Sequence, residues 1–106
     1  MPSPLPSLTG EQRAQALAKA ARVRKERGAM LSSLKAGTIF LLDVLAREDE
    51  TAGRTRVLSL LQSLPGIGPV RAKRTLVEFG IAETRRVQGL GARQRQLLIE
   101  RFPPQQ

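Results

Sequence analysis

Two apolar segments with helical periodicity are separated by a short break that contains both proline and glycine, since residues 64–69 are Leu-Pro-Gly-Ile-Gly-Pro. Glycine adopts backbone angles that other residues avoid, and proline suits the first position of a helix. The sequence therefore predicts a tight turn between two core helices. Ile67 is expected to insert into the core, and Pro69 to begin the second helix. That helix is expected to end at Gly80 and to pack through its apolar residues, Val70, Ala72, Leu76, Val77 and Phe79.

The same turn predicts a phosphate site. The amides of Gly66 and Gly68, with the unbonded N–H groups of the next helix, form a helix N-terminus, whose partial positive charge binds anions. Arg71, Lys73 and Arg74 follow at once. A helix-hairpin-helix arrangement of this kind holds a nucleic-acid strand without contacting its bases. On these residues alone, an ordinary turn between two helices remains the alternative.

A second glycine–apolar–glycine run occupies residues 89–91 and precedes a helix that carries Arg93. Between the two runs lie Arg85 and Arg86. On a short helix these neighbours would diverge by about 100°. One side chain is then expected in the minor groove and the other on a phosphate. A solvated surface pair explains the residues equally well.

The remaining sequence predicts an all-α fold, because no segment shows the apolar–polar alternation of a strand. Residues 9–12 fit a capping box ahead of a long basic helix, Glu11 to about Lys35, whose first half lacks an apolar stripe and projects into solvent. Thr38 is the predicted N-cap of a buried helix. After a polar loop, a third helix is expected from about Arg54 to Ser63.

We predict three parts: a flexible tail (1–8), a basic helix (9–36) and a compact domain with both glycine turns (37–106). The net charge is +9, and basic residues are concentrated before residue 37 and after residue 50. This distribution indicates a polyanionic partner. Arg54 and Arg56 are expected at the start of a helix, where basic charge is unfavourable unless an anion lies in front. A generally basic, solvated surface is the alternative.

Several classes of protein are disfavoured. The chain has no Cys, His, Trp or Tyr, so it lacks disulfides, thiolate ligands and the commonest general base. No carboxylates have calcium-loop spacing. We therefore expect no enzyme activity, no metal and no cofactor. The absence of a signal peptide or a long apolar run predicts a cytoplasmic protein without membrane contact.

In four stretches the chain resembles the actinobacterial integration host factor family: residues 8–13, 53–57, 64–68 and 84–91. The resemblance implies a helix–two-turn–helix domain behind a long N-terminal helix. It also implies a nucleoid-associated protein that binds duplex DNA with little sequence preference, bends it, organises the chromosome and supports phage integration. Gln88 stands where relatives commonly have a third arginine.

Residues and resemblance together predict one DNA interface, with double-stranded DNA as the partner. The protein is expected to be a monomer in solution, and phage integrase or another recombination complex is expected as a further partner. Arg54 and Arg56 stand where the family has lysine, which keeps the positive charge but changes the geometry of its hydrogen bonds. The predicted DNA-binding residues are Arg54, Arg56, Pro65, Gly66, Ile67, Gly68, Val70, Arg71, Lys73, Arg85, Arg86, Gln88, Gly89 and Arg93.

Two other functions fit parts of the pattern. Residues 67–81 and 86–90 also resemble a ribosomal protein of the small-subunit head, which uses the same module on rRNA. That family continues into a long basic tail, whereas this sequence ends in Pro-Pro-Gln-Gln. A protein–protein adaptor built on hairpin-helix turns is the other alternative, although it would not need so high a charge.

Overall fold

The protein was analysed as a computed structural model that describes residues 9–104, so the predicted tail at 1–8 lies outside the described residues. This part of the chain contains no β-strand, in agreement with the predicted all-α fold. The helices are α1 Gly10–Ala36, α2 Leu41–Leu45, α3 Glu50–Arg54, α4 Val57–Ser63, α5 Pro69–Glu78 and α6 Ala92–Arg101, with a 3-10 turn at Val87–Gly89 between the last two.

Helix α1 is the long helix that the sequence predicts. The hydroxyl of Thr9 accepts from the Gln12 amide at 3.0 Å, and the Gln12 side chain accepts from the Thr9 amide at 3.0 Å. The helix ends at Gly37, whose φ of 76° suits glycine. Its first half is exposed on all sides, and the radius of gyration is 17.0 Å. A compact chain of this length would have about 13 Å, so α1 projects as expected.

The core is aliphatic and lies between the end of α1 and the five shorter helices. Helix α1 packs against α3 and α4, α4 packs against α5, and α2 packs against α6. The buried apolar side chains are Met30, Leu34, Leu41, Val44, Leu45, Ala52, Val57, Leu60, Leu61, Ala72, Leu76, Ile81, Val87, Leu90 and Leu98.

Helix α2 begins later than predicted. Thr38 was expected to cap it, but the Thr38 hydroxyl donates to the Ser33 carbonyl at 3.1 Å and so completes the end of α1. The N-cap is Phe40, whose amide donates to Asp43 Oδ2 at 2.7 Å. The prediction was wrong because a threonine after glycine can satisfy the preceding helix as well as the following one.

The predicted third helix begins later than expected, at Val57, and the predicted polar loop before it contains a separate helix, α3. Asp49 caps α3 by accepting from the Ala52 amide at 3.2 Å. Thr51 is buried, and its hydroxyl is satisfied there by donating to Glu26 of α1 at 2.8 Å. The chain turns extended at Thr55 before α4 begins. The acidic run Glu48-Asp49-Glu50 suggested a loop, but Asp49 is the N-cap of α3.

Helix α5 starts at Pro69 and is followed by Gly80 at a φ of 68°, as predicted. Its predicted packing is partly confirmed, because Ala72 and Leu76 are buried and Phe79 packs against the core. Val70 and Val77, expected in the core, are 68% and 80% exposed. The buried side chains of α5, which are Ala72, Thr75 and Leu76, lie on the opposite side of the helix. Thr75 is accommodated there because its hydroxyl donates to the Arg71 carbonyl at 2.9 Å.

Two arginines of α6 fasten the helix to the body. Arg95 donates from Nη1 to the Leu45 carbonyl at 2.7 Å and from Nη2 to the Val87 carbonyl at 2.9 Å. Arg101 forms a bidentate pair with Glu78 of α5, at 2.9 and 2.8 Å. The two contacts hold α6 and the 3-10 turn in fixed positions.

The proposed division at residue 36 stays a prediction, because the last turns of α1 share the core with the rest of the chain. Within residues 9–104, no helix combines the length and the apolar composition that crossing a bilayer requires.

The structure predicts very different losses of stability for a leucine-to-alanine substitution at two places in α1. Leu34 is fully buried and Leu17 is 65% exposed. Leu34→Ala should reduce the free energy of unfolding by about 2–5 kcal/mol, because it leaves a core cavity. Leu17→Ala should change it by no more than about 0.5 kcal/mol. Urea denaturation followed by circular dichroism measures both, and equal losses would contradict a projecting first half.

Candidate nucleic-acid interface

The first glycine turn presents unbonded amides. Ile67 is half-buried against the core, and its amide donates to the Leu64 carbonyl at 3.1 Å. Helix α5 has no side-chain cap at Gly68, and its first internal bond runs from the Ala72 amide to the Gly68 carbonyl at 3.0 Å. Within residues 9–104, the amides of Val70 and Arg71 have no acceptor. The turn therefore has the predicted donors for an anion.

The two glycines of this turn have different roles. Gly66 has a φ of 75°, in the left-handed region that favours glycine. Gly68 is extended, with φ −89° and ψ 176°, a conformation open to any residue. A side chain at Gly68 would meet no other atom of the protein within 4 Å. Glycine at position 68 is thus unnecessary for the fold, and leaves space in front of the helix N-terminus.

Residues 55–57 pair with residues 85–87 in a short antiparallel bridge. The Val57 amide donates to the Arg85 carbonyl at 3.0 Å, and the Val87 amide donates to the Thr55 carbonyl at 3.0 Å. This pairing places Arg56 and Arg86 directly opposite each other. Because the hydrogen bonds flank the opposed residues and do not join them, Arg56 and Arg86 form a non-hydrogen-bonded pair, with Cα atoms about 4.5 Å apart.

The opposed arginines create an unbalanced charge. Like charges directly across a β pair are destabilising. In the described part of the chain, neither Arg56 nor Arg86 forms a salt bridge. An anion placed between them would remove the repulsion. Arg56 is the N-cap of α4, and the expected anion in front of it stays a prediction.

Arg85 and Arg86 do not lie on a short helix, and that prediction was wrong. The segment is extended, so neighbouring side chains alternate in direction. Arg85 folds over Gly89 and donates from Nη1 to its carbonyl at 3.2 Å. A Cβ at Gly89 would lie 3.1 Å from Arg85 Cδ, so the glycine makes room for this arginine. The two arginines therefore lie in different surroundings.

Arg54 is also placed differently from its prediction. It lies in the last turn of α3, where a basic side chain is favourable for the helix dipole. Its Nη1 is 3.1 Å from Glu50 Oε1. At the other end of α3, the hydrogen bond from Arg47 lowers the pKa of Asp49, with a smaller contribution from the Ala52 amide. The cap of α3 is thus a charged carboxylate.

Four arginines converge on a concave site of about 360 Å³, which we call the arginine pocket. Sequence reasoning did not include Arg27 of α1 in the interface. Its spacing was an available signal, because Met30, Leu31 and Leu34 follow at the intervals of one helix face. Arg27 therefore lies on the side of α1 that meets the body. The pocket is lined by Arg27, Leu31, Arg54, Thr55, Arg56, Ser59 and Arg86.

The other predicted residues do not line the arginine pocket. Pro65, Val70 and Lys73 are exposed at the first turn and along α5, and Arg93 is exposed on α6. Arg71 borders an adjacent groove with Leu34, Phe40 and Phe102 among its walls.

Gln88 is exposed but packs close to Gly53, where a Cβ would meet Gln88 Oε1 at 3.3 Å. The structure thus gives Gln88 a contact with α3. Its predicted role at DNA stays a prediction. Across residues 9–104, no three acidic side chains gather into a set of possible metal ligands.

Comparisons with known proteins agree on one family. Residues 34–102 match the S13-like H2TH domain family. The integration host factor of Mycobacterium tuberculosis is 48% identical over 100 residues, which cover 92% of this chain and 95% of the relative. That of Streptomyces coelicolor is 48% identical over 92 residues, covering 85% of this chain and 86% of the relative.

A solved structure described as sIHF bound to an 8-bp palindromic DNA shares the fold, with a TM-score of 0.78 and 41% sequence identity. The match covers 80% of this chain and 98% of that chain. Sequence and structure therefore agree over nearly the same length. The chain belongs to the integration host factor family of mycobacteria and Streptomyces, and it carries that family's S13-like H2TH domain.

Proposed function

We propose that this protein is a nucleoid-associated, non-enzymatic protein that binds double-stranded DNA with little sequence preference. The observation that carries the proposal is the likeness to a solved relative, 41% identical, that holds a DNA duplex. The relatives named integration host factor favour DNA over rRNA and over a protein partner.

The geometry supports binding through the DNA backbone. The unbonded amides at the start of α5 are suited to a phosphate, and amides carry no base code. Side chains for base stacking are scarce, because the sequence has three Phe and no Trp or Tyr. Contacts to phosphates position a protein on DNA without selecting a sequence, so binding sites of unrelated sequence are expected to be equivalent.

The proposal extends to DNA shape. The extended backbone directs the side chains of Arg85 and Arg86 apart. One guanidinium group then enters the minor groove, and the other binds a phosphate. Arginine insertion into the minor groove commonly accompanies bending. We assign the protein to chromosome compaction and to support of site-specific recombination, as a monomer that acts on the nucleoid.

Salt dependence tests the proposed backbone contacts. If about five phosphates are neutralised, log K should fall with log salt at a slope near −4 to −5. Fluorescence anisotropy with duplexes of unrelated sequence gives both the slope and the preference. A flat salt dependence, or a preference above ~10³ for one site, would contradict backbone binding, since specific recognition commonly exceeds that ratio.

Gly68→Val tests the first turn. The variant should fold normally, because the backbone at Gly68 is extended and the added side chain has space. DNA affinity should fall by about tenfold or more, since the side chain blocks the approach of a phosphate to the amides. Circular dichroism checks the fold. Gly10→Val, at the far end of α1, is the matched control; if both variants bind as the wild type does, the turn is only structural.

The double variant Arg85→Ala, Arg86→Ala should lose DNA compaction and most of its affinity for DNA, while the first glycine turn retains weak binding. The matched control is the double variant Arg22→Ala, Arg24→Ala on α1. Its affinity should change by only a few tenths of a log unit, through long-range charge. Gel shift and tethered-DNA length measure the two effects. A larger loss of affinity and compaction in the α1 variant would contradict an interface at Arg85 and Arg86.

A further inference from the structure

We propose that the arginine pocket binds a single phosphate group and that Arg27 makes α1 part of this site. The inference rests on the proposed function and adds a second anchoring point, separate from the amides of the first glycine turn. The pocket is built from α1, the joint between α3 and α4, and the segment that carries Arg86. None of the residues of the first turn lines it.

The charge in the pocket is poorly compensated. Its lining includes no carboxylate. Arg54 is paired with Glu50 at 3.1 Å, whereas Arg27, Arg56 and Arg86 form no salt bridge within residues 9–104. The backbones of Arg56 and Arg86 are also held opposite each other by hydrogen bonds, so their Cα atoms cannot separate without breaking the bridge. Such an arrangement is stabilised by an anion that several guanidinium groups share.

Arg27 is positioned by its neighbours on α1. The preceding residue, Glu26, accepts from the Thr51 hydroxyl at 2.8 Å, which ties α1 to α3 beside the pocket. One turn later, Leu31 packs against the core and lines the pocket wall. Arg27 therefore extends from a fixed stretch of helix, in contrast to the exposed arginines nearer the start of α1.

The donor set matches phosphate. Guanidinium groups bind phosphate oxygens in bidentate pairs, and several such groups suit an anion with more than two acceptor oxygens. Ser59 adds a hydroxyl to the pocket wall. The phosphate can come from the DNA backbone or from a small phosphorylated molecule. The chemistry is the same, and two experiments separate the sources.

The first experiment compares Arg27→Ala with Arg22→Ala in the full-length protein. Arg22 lies about 140° away around the helix and loses the same charge. For duplex DNA, Arg27→Ala should weaken binding several-fold and reduce the salt slope by about one, the effect of one lost phosphate contact. Arg22→Ala should leave the slope unchanged. Arg27→Lys, which keeps the charge without the planar fork, should restore only part of the loss.

The second experiment omits DNA and adds inorganic pyrophosphate. Pyrophosphate should raise the thermal midpoint of the wild type and of Arg22→Ala, and should raise that of Arg27→Ala much less. Circular dichroism of each variant checks the fold, and Arg27→Gln, which preserves part of the side-chain stem, replaces Arg27→Ala if the latter unfolds.

The outcomes are distinct. A loss of DNA affinity and salt slope specific to Arg27 assigns the pocket to the DNA backbone. Unchanged DNA binding with a pyrophosphate effect that needs Arg27 assigns it to a small phosphorylated molecule. If Arg27→Ala matches Arg22→Ala in both experiments, the pocket is not a phosphate site. If the wild type fails to bind DNA, the proposed function is wrong, and the pyrophosphate experiment still tests the pocket.

Discussion

Two backbone hydrogen bonds, from Val57 to Arg85 and from Val87 to Thr55, join segments that are distant in the sequence and near in the fold. They direct Val57 and Val87 into the core, where both are buried, and leave Arg56 and Arg86 on the outside. The burial of the two valines offsets the repulsion that the arginines create. The position of the 3-10 turn, and with it the arrangement of the arginine pocket, follows from this pairing.

Features that depend on local chemistry could be predicted from the sequence. The capping box at Thr9, the start of α5 at Pro69 and the left-handed glycine at Gly80 each need only a few neighbouring residues, and the structure confirms them. The unbonded amides ahead of α5 were predictable for the same reason. A helix N-terminus without a capping side chain leaves those donors unsatisfied in any fold.

Features that depend on distant parts of the chain could not be predicted in this way. Helix α5 carries apolar residues on two sides, Val70 and Val77 on one and Ala72 and Leu76 on the other, and only the second side is buried. The choice depends on which neighbours are available and on a threonine hydroxyl that bonds within its own helix. The opposition of Arg56 and Arg86 depends on a pairing that neither segment reveals by itself.

Helix α1 is one continuous element, but its two ends have different energetic support. Opening the turns near Arg13 exposes no buried apolar surface, whereas opening the turns near Leu34 disrupts the core. An isolated helix shorter than about 12–15 residues is marginal in water. Amide hydrogens should therefore exchange with solvent through local fraying at the start of α1, and only through global unfolding at its end. A single helix thus spans the whole range of protection that the molecule offers.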